Sequence, residues 1–291
     1  MPFSSILTHP GGAHKDEFLA CCFLLAYAPV VISRREPTAE DLTDPNIAVV
    51  DVGHEHVPEL GNFDHHQFPS DHPPLCSLSL VLQHFGLYEE ARDFCDWLEP
   101  AEWFDTLGPI ETARRLGIPR DAVFKLYSPI DGTLLRRFSK QREILPGDPL
   151  WEIMRWVGED LKAYLISQRT QLEWISSASE IWEIEARGEL FEVLFLPRDA
   201  ADPEQEQSTA MAKFLGRRKD SSAVAACVYG DRRGGGYALS RYMDHPQLDF
   251  TRIADCEDVH FAHARGFVAK TSATDPLRLR ELLADAWVPK F

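Results

Sequence analysis

Three stretches in the first 66 residues gather side chains that could hold divalent cations. They are His9-Pro-Gly-Gly-Ala-His14-Lys-Asp16, Val49-Val-Asp51-Val-Gly53 and Asp64-His65-His66. Neutral imidazole and ionised carboxylate together suit metals of hard-to-intermediate character such as Mn²⁺, Fe²⁺, Co²⁺ or Zn²⁺. Gly11 and Gly12 let the chain turn tightly, so His9 and His14 can face one point. Each stretch also has a plainer reading. Asp16 could be an acidic residue favouring a helix N-terminus, and Asp51 a turn aspartate ending a strand. His65 and His66 are adjacent on an extended segment and point to opposite sides. One can bind metal while the other faces a substrate phosphate. His54 and His56 read as surface-loop residues.

The surrounding chain predicts the elements that position these groups. Residues 4–8 read as a strand leading to His9, 16–27 as a helix with apolar residues at Phe18, Leu19, Cys22, Phe23 and Ala26, and 30–33 as a second strand. Residues 37–46 form a loop or short helix, and Ile47-Ala-Val-Val50 is an apolar run closing on Asp51. Continuous runs of this kind fit a parallel sheet covered on both faces, and the order of elements argues an α/β fold. In open α/β sheets ligands bind beyond the carboxyl ends of the strands. His9, the pair Arg34 and Arg35, and Asp51 all fall at such ends. Either arginine could neutralise a phosphate oxygen or sit in a surface salt bridge.

Further helices are expected over 77–85, 88–106, within 109–126 and from Asp148-Pro149 to about 180. Beyond 181 the pattern changes: strands at 181–185 and 191–196, an acidic loop over 198–208, a helix at 211–215, a hairpin of 223–229 with 236–241, a strand at 259–263 and a closing helix at 275–286. The expected organisation is an N-terminal parallel-sheet domain (1–145), a helical connector (146–180) and a smaller mixed α+β domain (181–291), with a cleft between the two domains.

Composition narrows the function. The 291 residues are 44% hydrophobic and 26% charged, ordinary for a globular protein, and no apolar run reaches membrane-spanning length. No basic leader precedes a cleavage site, so a cytoplasmic location is expected. The six cysteines form no C-x-x-C pair and read as buried free thiols. A net charge of −16 disfavours a protein that coats long nucleic acid. If phosphates are handled, the attraction is local and the ligand short.

His9…His14-Lys-Asp16, Val-Val-Asp51-Val-Gly, Phe-Asp64-His65-His66-Gln and Ser77-Leu-Ser-Leu-Val81…His84-Phe-Gly86 resemble the MYG-type (metal-dependent protein hydrolase) branch of the DHH phosphoesterase superfamily. His263-Ala-Arg-Gly266-Phe267 is similar to the end of the same pattern. The resemblance is strongest over 7–86, moderate near 259–268 and weak between. It implies a DHH-type domain with two divalent metals, usually Mn²⁺. His9 and His14 would hold one ion, Asp16 and His65 the other, and Asp51 would bridge them. The pattern requires a further aspartate; Asp105 fits the spacing and Asp96 is the alternative. Most of the superfamily carries aspartate where this chain has His14. That loss of one negative charge implies a shift toward Zn²⁺, Co²⁺ or Ni²⁺.

The implied activity is two-metal hydrolysis of phosphodiesters, read as a 3′–5′ exonuclease on short RNA or DNA, with Asp51 and His66 catalytic. His66, Arg35, Arg241 and His263 would contact substrate. The partners implied are a short oligonucleotide or nucleotide and a second copy of the chain in a homodimer, with no membrane. A phosphoesterase on a small phosphate compound and a non-catalytic metal-binding regulator are the rival readings. Gly234-Gly-Gly236 is followed by Tyr237, where the superfamily's glycine-histidine signature has histidine. That departure bears on the substrate more than on the metals.

Overall fold

Strand β1 (Ser5–Thr8) is the centre of the N-terminal sheet, and the chain builds outward from it on both sides. Helix α1 (Lys15–Leu25) returns it to β2 (Val31–Arg34), and α2 (Ala39–Thr43) leads across to β3 (Ile47–Val50) on the other flank of β1. β4 (His56–Val57) and β5 (Asn62–Phe63) extend that flank. Then come α3 (Ser77–His84), α4 (Tyr88–Phe94), α5 (Leu98–Arg115), α6 (Arg120–Lys125), α7 (Pro129–Phe138), β6 (Glu143–Ile144) and the long α8 (Pro149–Ala178). The computed structural model describes residues 3–125, 128–198, 207–218 and 223–289.

The sheet order is β4-β5-β3-β1-β2-β6. The four inner strands are parallel, while β4 and β6 run antiparallel at the edges. The fold is therefore α/β with a mixed sheet, not the purely parallel one expected. The chain reverses direction of growth between β1 and β3, which makes their carboxyl ends a topological switch point. Register then fixes a row. Thr8 lies level with Val50 and with Arg34, and Val50 with Phe63. The next residues along, His9, Arg35, Asp51 and Asp64, consequently share one edge.

Nine of the 11 residues of α1 are buried, so this helix has no wet face and belongs wholly to the core. Phe18, Phe23, Leu24 and Leu25 each contribute about 1.5–3 kcal/mol of burial. Its back is crossed by α8 at Gly158, where a Cβ would lie 1.7 Å from the carbonyl oxygen of Cys22. Only glycine permits that approach.

The expected single helix over 88–106 is two, α4 and α5, separated at Cys95–Trp97. α5 itself breaks at Gly108, whose left-handed φ of 74° precedes Pro109. Five cysteines are buried and Cys256 is partly so; all are free. Among the described residues no helix is long and apolar enough to cross a membrane.

The chain divides into two compact units, Met1–Ser167 and Gln168–Phe291, with the division inside α8. The second unit contains β7 (Glu180–Ala186), β8 (Glu189–Phe195), α9 (Gln207–Arg217), β9 (Val224–Gly230), β10 (Tyr237–Arg241), β11 (Val259–Ala262), β12 (Val268–Thr271) and α10 (Pro276–Asp285). Its sheet, β11-β12-β10-β9-β8-β7, is antiparallel except between β8 and β9. Phe191 stacks on Trp287 and Trp182 on Phe195, each with centroids 4.0 Å apart. Most of the acidic loop expected over 198–208 lies outside the described residues, at 199–206.

Candidate metal centre

Asp51 sits at the middle of the row. It turns back in a left-handed conformation (φ 58°), uncommon for a residue with a side chain but tolerated by aspartate. Its N–H still donates to the Phe63 carbonyl at 3.1 Å, and the turn is closed by His54 N–H donating to Asp64 Oδ2 at 2.7 Å. The two oxygens of the buried Asp51 carboxylate then serve two sides. Oδ2 faces His9 Nε2 at 3.5 Å; Oδ1 faces His65 Nε2 at 3.1 Å and accepts from Ser77 Oγ at 2.9 Å.

Three groups of possible ligand atoms share Asp51: His9, His14, Glu17 and Asp51; Asp51, Asp64, His65 and His66; and Asp16, Asp51, His65 and Asp105, and within each the atoms lie within 4.8 Å of one another. His14 is exposed and 3.6 Å from Asp105 Oδ1. Asp105, in the last turn of α5 before the Gly108 break, brings Oδ2 to 2.8 Å from His65 Nε2. Neither atom of that contact is in hydrogen-bond geometry. Buried Glu102, one turn earlier, accepts from Ser79 Oγ at 2.6 Å and Tyr88 OH at 2.9 Å, which fixes the seating of α5 on α3. Asp96, the alternative to Asp105, is exposed in the link before α5.

Whether this set fits divalent cations is tested best by Asp16. It is 1% exposed and neither carboxylate oxygen has a hydrogen-bond partner. Native structures rarely leave such a group without a partner. Burial, then repulsion from Asp51, Asp105 and Glu17, pushes its carboxyl well above the usual range. The histidines report the same negative field. Asp51 and Glu17 push His9 up to about 10. Burial pulls His65 down, but the Asp105 and Asp51 carboxylates override it and raise it to about 10. Burial opposes ionisation of Asp51, yet the His65 and His9 imidazoles facing its oxygens hold it well below the carboxylate range. The donors and their charge thus fit divalent cations: His9, His14 and Asp51 on one side, and Asp16, Asp51, His65 and Asp105 on the other.

Three supporting residues were not singled out as site residues from the sequence. Glu17, fully buried, accepts from His14 N–H at 2.7 Å and lies 3.4 Å from His9 Nε2. Its signal was the spacing His14-x-x-Glu17 at a helix start, the pattern of a capping box. Ser77 opens the stretch Ser77-Leu-Ser-Leu-Val81, but nothing local ties it to Asp51; the fold brings the two together across 26 residues. Asp64 stood in the motif, but its work is to orient: Oδ1 accepts from His66 N–H at 3.0 Å and contacts His66 Nδ1 at 2.7 Å.

The arginines are engaged. Arg34 is buried over the Phe138 ring and donates to the carbonyls of Gly12 at 2.8 Å, Phe138 at 2.9 Å and Gly11 at 3.4 Å. It holds the metal loop rather than a substrate. Arg35 makes a two-pronged pair with Asp41 at 2.7 and 2.8 Å. In the second unit, Arg241 donates to the carbonyls of Leu248 and Arg265, each at 3.3 Å, and pairs with Asp244 at 3.0 Å. His263 accepts from Arg265 N–H at 3.1 Å in the β11–β12 turn.

No curated protein matches the chain. Residues 5–90 match the family model MYG1_exonuc, described as Uncharacterised protein family (UPF0160). That segment holds His9, His14, Asp16, Asp51, His65 and His66 and stops short of Asp105, and its match supports a MYG1-type family.

Proposed function

We propose that this chain is a DHH-type metal-dependent phosphodiester hydrolase, a 3′–5′ exonuclease on short RNA or DNA. The observation that carries the reading is the buried, unpartnered Asp16 carboxylate beside an Asp51 whose two oxygens face different histidines. The printed family name, with its exonuclease element, agrees with it. Two divalent ions, Mn²⁺ first and Zn²⁺, Co²⁺ or Ni²⁺ as alternatives, would be held by His9, His14, Asp16, Asp51, His65 and Asp105. When bound, such ions supply charge neutralisation at phosphate oxygens and acidify water.

The chain's own residues do the rest. Ser77 and the register of β1 and β3 hold Asp51 in place. Asp64 fixes the His66 ring through Nδ1, which leaves Nε2 of this half-exposed side chain to hold a proton for the leaving oxygen. Arg35 is assigned to the substrate on condition that it gives up Asp41. Arg241 and His263 are also assigned to the substrate. The −16 charge supports short substrates; a cytoplasmic location, no membrane partner and a homodimer are part of the same reading.

The test is incubation with Mn²⁺ and end-labelled di- to decanucleotides, with pyrophosphate and bis-nitrophenyl phosphate alongside. Stepwise shortening from the 3′ end, abolished by Asp51→Asn, supports the exonuclease. Turnover of only the small phosphates points to the phosphoesterase. Two tightly held ions with no turnover of any substrate would leave a metal-binding regulator.

A further inference from the structure

The C-terminal end of α7 opens a run of cations, Arg136, Arg137, Lys140 and Arg142, with one acidic residue, Glu143, directly after it. Arg136, Arg137 and Lys140, with Thr133 and Gln141, line a cavity of about 360 Å³. Among the described residues no carboxylate pairs with these three cations; Arg136 only donates to Thr133 Oγ1 at 3.2 Å. Elsewhere on the surface Arg92, Arg114, Arg155 and Arg278 each find a carboxylate, while Arg252 and Arg280 donate to carbonyls; what sets this group apart is three cations around one cavity. The helix dipole accounts for cations in the last turn of α7. It does not account for Lys140 beyond the helix, nor for three like charges around one concavity. Such charges repel unless an anion offsets them.

The cavity is also tied to the metal loop at both ends of α7. Lys15, between His14 and Asp16, pairs with Asp131 in the first turn at 2.9 Å. Arg34 bridges the Phe138 and Gly12 carbonyls at the last turn. Gly12 is three residues from His9, a span of at most about 10 Å. The last turn of α7 therefore lies within roughly 20 Å of the candidate ligands.

We infer that the Arg136–Arg137–Lys140 cavity binds backbone phosphates of a single-stranded oligonucleotide beyond the phosphate being cleaved, an inference that rests on the phosphodiesterase reading above. It gives a chain of net charge −16 a local basic track, and it favours substrates longer than a dinucleotide.

The experiment uses the full chain in chelator, so that nothing is cut. It follows the anisotropy of a labelled single-stranded decanucleotide between about 50 and 200 mM salt. Removing three contacts in Arg136→Ala/Arg137→Ala/Lys140→Ala should raise Kd at least about tenfold at low salt and flatten the log–log salt slope by about 2. Arg137→Glu alone, on an exposed side chain, should act in the same direction. Arg114→Ala, which removes a cation already paired with Glu111, should bind as wild type. Unchanged affinity and slope in the triple variant would overturn the inference, as would a wild-type protein that does not bind the decanucleotide. With Mn²⁺ restored, a wild type that binds without cutting sinks the hydrolase reading alone. Cutting with no difference between wild-type and variant affinity sinks the basic track alone.

Discussion

Replacing Asp16 by asparagine should stabilise the protein in chelator and reduce what metal adds. The ligand atoms of Asp16, Asp51, His65 and Asp105 lie within 4.8 Å of one another. At an effective dielectric of about 20, two unit charges at that separation repel by about 3.5 kcal/mol. Asp16 meets two such neighbours, Asp51 and Asp105, against one favourable contact when His65 is protonated. A net cost near one pair remains, limited by Asp16 taking up a proton. Asparagine keeps the size and removes the charge, so Asp16→Asn should gain about 1–3 kcal/mol without metal. For a unit of this size each kcal/mol moves Tm by about 2–4 °C, so the gain is about 4–8 °C at the middle of the range. Saturating Mn²⁺ at a hundred times Kd should add about 2.7 kcal/mol to the wild type and less to a variant missing a ligand. The variant's advantage in EDTA should therefore shrink in Mn²⁺, and invert where its two gains together stay below about 2.7 kcal/mol. A variant that melts below wild type in EDTA, or equal Mn²⁺ shifts in both proteins, would refute the reasoning.

Three further outcomes follow from neighbouring contacts. Ser77→Ala removes the hydroxyl that donates to Asp51 Oδ1 and should lower Mn²⁺ affinity about tenfold or more by titration calorimetry, with little change in metal-free stability. Arg34→Met leaves the Gly11, Gly12 and Phe138 carbonyls without their donor. It should cost about 3 kcal/mol in urea unfolding and speed hydrogen exchange in the Gly11–His14 loop. Asp41 caps α2 from within and pairs with Arg35, which holds its carboxyl well below the usual range. Its contribution is present above the ordinary carboxylate range and is lost as pH falls below about 4. Asp41→Asn should therefore cost about 1–2 kcal/mol at neutral pH, a difference that fades in urea unfolding below about pH 3.

The parts of the fold legible in the sequence were those whose burial writes a pattern. β1, β2 and β3 were apolar runs ending in a polar residue, and α1 and α3 followed apolar spacing to within two residues. Strand ends in a doubly flanked sheet then align His9 with Asp51. Short or polar elements left no such trace. β4, β5 and β6 have two residues each and exist through their partners, and β12 alternates too briefly to stand out. α7 reads as a mixture of charge and turn residues, and its link to the metal loop is made by carbonyls and Arg34, which no side-chain pattern reveals. Spacing favours Asp105 over Asp96 without excluding the latter. The fold separates the two by seating α5 through Glu102, Ser79 and Tyr88, which brings Asp105 and not Asp96 beside His65.

The glycine at 158 also sets a clock. α1 carries Asp16 on one side and is closed on the other by a helix whose contact residue is made 136 residues after Cys22. A helix without a wet face gains little from forming alone. At about 5–20 residues per second of synthesis, some 7–27 s separate the two partners. During that interval α1 can pack on β1, β3, α3, α5 and α7 but lacks the closing contact at Gly158. The expected consequence is that a cation bound by the loop with His9, His14 and Asp16 is retained only after residue 158 has left the ribosome. Ribosome-bound chains arrested at about residue 145 should fail to retain Mn²⁺ that chains with α8 exposed retain.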